Sequence, residues 1–208
     1  MKNLYFIFLL SWTNFIFAQN IGEDILINKT VTGYILLENG DTLNGKIKVS
    51  NRAKNQVRVK FTNSDGKSTT YKAKKNKLKG YGFETKLGRD ATNTKWRHFK
   101  LRKVDQPPMI FASSTVFIEI KATGALNLFN FYVETNTQTN SPYKHYYFME
   151  GLGFSFQKIS RENFDKITTQ LGKNCSKIRR TSGQLSFYDF DRIVTFYNQC
   201  QEVLSIKE

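Results

Sequence analysis

The chain has 208 residues, 32 Lys+Arg against 17 Asp+Glu, a formal charge of +15, and 39% hydrophobic residues with only three prolines. That length and apolar content suit one folded domain with a small appendage and exclude a disordered or collagen-like chain. Two cysteines and two histidines exclude a disulfide-rich scaffold, a four-cysteine zinc site and a multi-histidine metal centre, so neither metal nor cofactor is expected.

Residues 1–18 are expected to be a secretory signal peptide. Lys2 supplies a positive start, Leu4 to Leu10 is an unbroken apolar run, and Phe15-Ile16-Phe17-Ala18 leads to a small-residue exit before Gln19. Ser11, Thr13 and Asn14 interrupt the apolar stretch, which falls short of the roughly 20 residues needed to span a bilayer. No cysteine lies near the cleavage point, so no lipid attachment is expected, and no later stretch reads as a transmembrane helix. Residues 19–208 are therefore expected to be exported, to the periplasm, the outer-membrane surface or the extracellular medium.

The next segment reads as strands. Val31 to Leu37 and Thr42 to Ser50 form a hairpin, with Asn39-Gly40 suited to a type I′ turn. Gln56 to Phe61 alternates, with Val57, Val59 and Phe61 on one face. Lys67 to Lys74 returns with Thr69, Tyr71 and Ala73 in phase. A short strand is expected around Leu78 to Glu84, a loop over Gly88 to Thr94, and a strand over Trp96 to Val104 with Phe99 and Leu101 inward. Pro107-Pro108 ends that strand. Thr115 to Lys121 pairs with Ala125 to Val133, Thr135 to Pro142 is a polar loop, and Lys144 to Met149 pairs with Phe154 to Ile159.

The last fifty residues change period. Phe164, Ile167 and Leu171 make a helical stripe after Ser160, with Gly172 as the expected stop. Ser186 is a suitable N-cap for a second helix, Asp189 favours its positive end, and Phe187, Phe190, Ile193, Val194 and Tyr197 form its apolar face. Export favours a structural disulfide between Cys175 and Cys200, which would tie the two helices. A redox role is disfavoured because the Cys-x-x-Cys spacing is missing.

Gly33-Tyr34-Ile35 followed by Asn39-Gly40-Asp41-Thr42-Leu43-Asn44-Gly45-Lys46-Ile47 resembles the opening of a loose group of secreted Bacteroidota proteins. The ending, Phe164…Cys175…Phe196-Tyr197-Asn198-Gln199-Cys200, is similar to the helical tail of the same group. The resemblance implies an exported β-rich domain with a cysteine-linked helical tail, and it brings no specific activity. Asp41-Thr42-Leu43 also matches the short O-glycosylation pattern of that bacterial group, although hairpin chemistry explains the same residues.

Catalytic motifs are not found: there is no nucleophile elbow, zinc-protease helix, phosphate loop or dinucleotide fingerprint. His98 lies between Arg97 and Phe99, where a cationic neighbour opposes metal binding. His145 reads as a packed or surface strand histidine, and Asp189 as a helix cap rather than half of an acid–base pair with Asp191.

Charge is unevenly placed. Between Lys46 and Lys103 there are 19 Lys+Arg and three acids (Asp65, Glu84, Asp90), a net of +16, whereas the rest of 19–208 has a net of −2. With apolar residues inward, Lys46, Lys48, Arg58, Lys60, Lys72, Lys74, Lys100 and Arg102 fall on the outward phase of four strands, with Trp96 and His98 in the same phase. Facing like charges destabilise a sheet, and a face of one sign can bind a polyanion. Expected partners are anionic lipid, lipopolysaccharide or acidic polysaccharide. Nucleic acid is disfavoured because no RNA-recognition aromatic motif accompanies the strands.

The expected fold is α+β: a mainly antiparallel β domain over 19–159, a sandwich or partly open barrel, followed by a helical tail over 160–208 packed on it. The expected function is that of a non-enzymatic envelope binding protein. The alternative is a hydrolase acting on an envelope polymer.

Overall fold

The computed structural model describes residues 27–75, 77–87, 93–104, 114–134, 143–181 and 184–205. The expected signal peptide, most of the loop expected over Gly88 to Thr94, Pro107-Pro108 and the expected loop over Thr135 to Pro142 lie outside them. The chain divides into two compact units, Met1–His98 and Phe99–Glu208.

In the first unit, β1 (Thr30–Leu37) and β2 (Thr42–Lys48) pair antiparallel, with Ile35 opposite Leu43 and Thr30 opposite Lys48. The connection is not the type I′ turn expected. Gly40 N–H donates to Leu37 C=O at 3.1 Å, and Leu37 N–H donates to Asp41 C=O at 2.8 Å. Gly40 has φ +100° while Asn39 is not among the positive-φ residues. This is a three-residue loop closed by a glycine bulge, which needs left-handed backbone at one position rather than two.

A helix then intervenes where alternation suggested continuous strand. α1 (Arg52–Val57) precedes β3 (Arg58–Thr62), so Val57 ends a helix and is 38% exposed while Val59 and Phe61 are buried. Asn51 caps α1 by accepting from Lys54 N–H at 2.8 Å. Asn55 is buried and bonds Ser50 both ways, accepting from its N–H at 3.0 Å and donating to its C=O at 3.1 Å. The buried Tyr81 hydroxyl donates to Asn55 C=O at 2.6 Å. Sequence periodicity does not carry these partners, because Tyr81 is 26 residues away.

β4 (Ser68–Lys72) pairs with β3 and ends in a 3-10 turn, Ala73–Lys75. Thr69, expected inward, is exposed because β4 is the last strand on this side of the sheet, whereas Ala73 is buried. β5 (Leu78–Leu87) is ten residues long, and β6 (Asn93–Lys103) passes from this unit into the next. The strand order is β6-β5-β1-β2-β3-β4. Ile35, Ile47, Val59, Phe61, Tyr81 and Phe83 are buried on the inner face.

The second unit continues with β7 (Thr115–Ala122), β8 (Asn127–Glu134), β9 (Tyr143–Gly151) and β10 (Phe154–Ile159), each antiparallel to its predecessor in the pairs described. Its order is β6-β7-β8-β9-β10. Both strand orders are open, which replaces the sandwich-or-barrel alternative with an open sheet. Val116, Ile118, Phe129, Phe131 and Phe148 cluster in one core. Leu126, Leu128, Met149 and Ile159 face the helices: α2 (Arg161–Asn174), α3 (Ser176–Thr181) and α4 (Phe190–Ser205).

The expected stripes form this helix-covered core, where Phe190, Ile193 and Val194 are fully buried. Gly172 is not the helix stop. α2 continues to Asn174, and Gly172 packs against Arg179 of α3, where a Cβ would sit at an ordinary contact distance of 3.7 Å from the Arg179 Cα. Cys175 and Cys200 are bonded, with Cα atoms 5.7 Å apart. Asn198 of α4 accepts from Leu126 N–H and donates to Leu126 C=O, each at 2.9 Å, fixing the helix on the β7–β8 connection. The class is α+β, mainly antiparallel sheet with C-terminal helices.

Candidate functional site

The outward face of the first sheet follows from its register. Lys48 stands opposite Lys60 and between Thr30 and that lysine, and Arg58 stands opposite Lys72. Lys46 lies across from Thr32 and Thr62. Lys46, Lys48, Arg58, Lys60 and Lys72 are all exposed, as the alternation predicts, because Ile47, Val59 and Phe61 take the inward positions. Among the described residues, none of these five cations has a carboxylate partner.

Three of the eight expected cations are placed differently. Lys74 is exposed, but it sits in the 3-10 turn after β4, where the chain has left the strand. Lys100 is half-buried and belongs to the second unit. Arg102, also in the second unit, pairs with Glu150 at 2.5 Å and lies over the Phe129 and Phe156 rings at 5.9 and 5.8 Å. A guanidinium paired and stacked in this way is structural. Alternation gave its phase but not its partner 48 residues away.

A cleft of about 380 Å³ opens among Lys48, Ser50, Lys54, Arg58, Lys60 and Thr70. Lys54 was not singled out by strand phase, since it is carried by α1. Asn51, a cap-type residue three positions before Lys54, is the sequence signal that could have placed it.

The same face carries an aromatic group. Trp96 is 40% exposed and stacks on His98, with ring centroids 6.2 Å apart and 14° between planes. The Tyr34 hydroxyl and His98 Nδ1 share a hydrogen bond at 2.7 Å. Burial raises the Tyr34 pKa, so the phenol keeps its proton. Tyr34 reaches across β5 because Gly82 has no side chain there; a Cβ would lie 2.5 Å from the Tyr34 ring. His98 is thus part of an exposed aromatic patch.

In the second unit, His145 lies 3.2 Å from Asn130 Nδ2 and packs edge-on to Tyr132. The Tyr132 hydroxyl donates to buried Glu119, which also has Lys121 at 3.6 Å. Asp189 accepts from the Ser186 N–H at 2.8 Å and from its hydroxyl at 2.7 Å, and these bonds hold its carboxyl below the usual range. Asp189 is a cap, as expected. Asp191 lies in the first turn of α4, and its charge adds to burial in pushing Tyr147 up to about 12. Among the described residues, no group of three His, Cys, Asp or Glu could hold a metal ion.

No protein-family model matches this sequence, and neither curated proteins nor solved structures gave a match.

Proposed function

We propose that this is an exported, non-enzymatic envelope protein that holds anionic envelope components against the basic face of its first sheet. The ligand classes are anionic lipid headgroups, lipopolysaccharide and acidic polysaccharide. The observation that carries the reading is the register: Lys48 faces Lys60 and Arg58 faces Lys72, with no carboxylate paired to any of the four among the described residues. Opposed like charges cost stability. An anion lying across them relieves that repulsion, so the arrangement favours an occupied face.

Export rests on the leader-like character of residues 1–18 and on the resemblance of both chain ends to secreted Bacteroidota proteins. A cysteine pair that is bonded suits an oxidising compartment.

The test is retention of the purified protein on vesicles of phosphatidylglycerol and phosphatidylcholine. Binding is expected at low salt and release as salt rises, since the screening length falls from about 30 Å at 0.01 M to about 10 Å at 0.1 M. Pure phosphatidylcholine vesicles should not retain it. Failure to bind any anionic vesicle, lipopolysaccharide or acidic polysaccharide at low salt would overturn the proposal.

A further inference from the structure

The basic face is not uniform, and its concave part is more specific than a charged surface. Four cations line the cleft, and they come from three elements: Lys48 from β2, Lys54 from α1, and Arg58 and Lys60 from β3. Among the described residues, no acidic side chain lines it, and the lining adds hydroxyl donors from Ser50 and Thr70 and one apolar side chain, Ile27. An apolar ligand would find little to bury against, because small-molecule sites for such ligands are lined mainly by hydrophobic and aromatic groups.

We infer that this cleft is a binding site for a terminal phosphate group, carried by a phosphomonoester lipid headgroup or by a free phosphate compound. The inference rests on the reading of the face as an anion-binding surface and assigns its most concentrated point. A terminal phosphate brings a charge of about −1.5 to −2 at neutral pH and three acceptor oxygens, whereas a phosphodiester brings one negative charge. Arg58 supplies a planar fork that matches two phosphate oxygens, and the lysines act as point charges around it. Lys54 is set at the rim by a fixed turn rather than by a flexible loop: Asn51 caps its N–H, and the next residue, Asn55, is tied to Ser50 and Tyr81. The volume of about 380 Å³ sits at the small end of the range of ligand sites, which suits a compact head rather than a folded polymer.

The experiment titrates inorganic pyrophosphate into the purified protein by calorimetry, at a salt concentration where the fold is intact. Saturable one-to-one binding is expected. Lys54→Gln and Arg58→Gln should each weaken it by about tenfold or more, the loss expected for a hydrogen bond to a charged group. Lys46→Gln and Lys72→Gln, on the same face but not lining the cleft, should change it by no more than about twofold, because screened charges at a distance add little. All four side chains are exposed, so circular dichroism of each variant should match the parent.

Two further arms separate the sources. Preference for phosphatidic acid over phosphatidylglycerol vesicles at equal surface charge, without binding of glucose 1-phosphate, assigns a lipid headgroup. Comparable binding of glucose 1-phosphate assigns a free phosphate compound. No saturable pyrophosphate binding, or equal weakening by all four variants, overturns the cleft while vesicle retention still stands for the face. Loss of vesicle retention as well overturns both.

Discussion

Five cations of the first unit and three of the second are placed in opposite ways. In the second, Arg102 is paired with Glu150 and stacked on Phe129, Lys177 lies over the Phe196 ring at 3.9 Å, and Arg192 lies over the same ring at 5.2 Å. Those three charges contribute to holding the fold. In the first, Lys46, Lys48, Arg58, Lys60 and Lys72 project outward with no carboxylate partner among the described residues, and two pairs of them face each other across strands. Like charges facing each other cost stability, and the proposed anion would offset that cost. The second unit also holds the disulfide and the helices, and the first also holds the cleft.

The largest effect expected from breaking this contrast is in the helical core. Phe190 is fully buried beside Phe164, and Phe190→Ala should cost about 3–5 kcal/mol in denaturant unfolding. Retention on anionic vesicles below the unfolding transition should be unchanged. A loss of retention in the folded variant would mean that the two roles are not separated.

The next effect is the crosslink. Removing Cys175 and Cys200 together should cost about 3.5 kcal/mol by the chain-entropy account for a separation of 25 residues. Hydrogen exchange should rise in α2, α3 and α4 more than in β1 to β3. Free thiols in mass spectra of the oxidised protein would contradict the bond itself.

A smaller effect has the opposite sign. Lys60→Glu replaces a like-charge pair with Lys48 by an ion pair, and should raise stability by about 0.2–1 kcal/mol while lowering anion retention. Stability and function moving together would show that the repulsion is not held for a ligand.

The subtlest effect is on pH. Asp189 and Glu162 stand at helix starts, and hydrogen bonds from Ser186 and Ser160 hold their carboxyls below the ordinary range. A lowered folded pKa gives stability that is present above the unfolded value, near 4, and lost as pH falls through the folded one. Helix-start amides of α2 and α4 should therefore exchange faster as pH drops below about 4, and Asp189→Asn should remove the α4 part of that dependence. An unchanged profile in that variant would remove Asp189 as its cause.

Much of this contrast was legible in the sequence. The apolar stripes of α2 and α4, their Ser160 and Ser186 starts and the cysteine pair are local signals, and period 2 placed Val59 and Phe61 inward and Arg58 and Lys60 outward. What failed depended on distant partners. The end of α1 reads as strand because Val57, Val59 and Phe61 alternate, and the Asn51 cap together with the bonds from Asn55 to Ser50 and Tyr81 fixes a helix there instead. Gly172 looks like a stop, but its place against Arg179 makes it a packing position. α3, which sequence reading did not place, is six residues long. The cleft went unseen for the same reason as α1, since Lys54 completes it from the helix.

The most direct measurement compares two sets of charge removals in one vesicle-retention assay. One set neutralises Lys46, Lys48, Arg58 and Lys60; the other neutralises exposed cations of the second unit, Lys166 and Lys173 with Lys144 and Lys158, and circular dichroism checks its fold because the last two lie over the Tyr146 ring at 5.3 and 4.7 Å. The account predicts that the first set abolishes salt-sensitive retention on phosphatidylglycerol vesicles in a folded protein, while the second leaves most of it. Equal losses from the two sets would show a polycation acting through net charge alone and would contradict a binding face located on the first sheet.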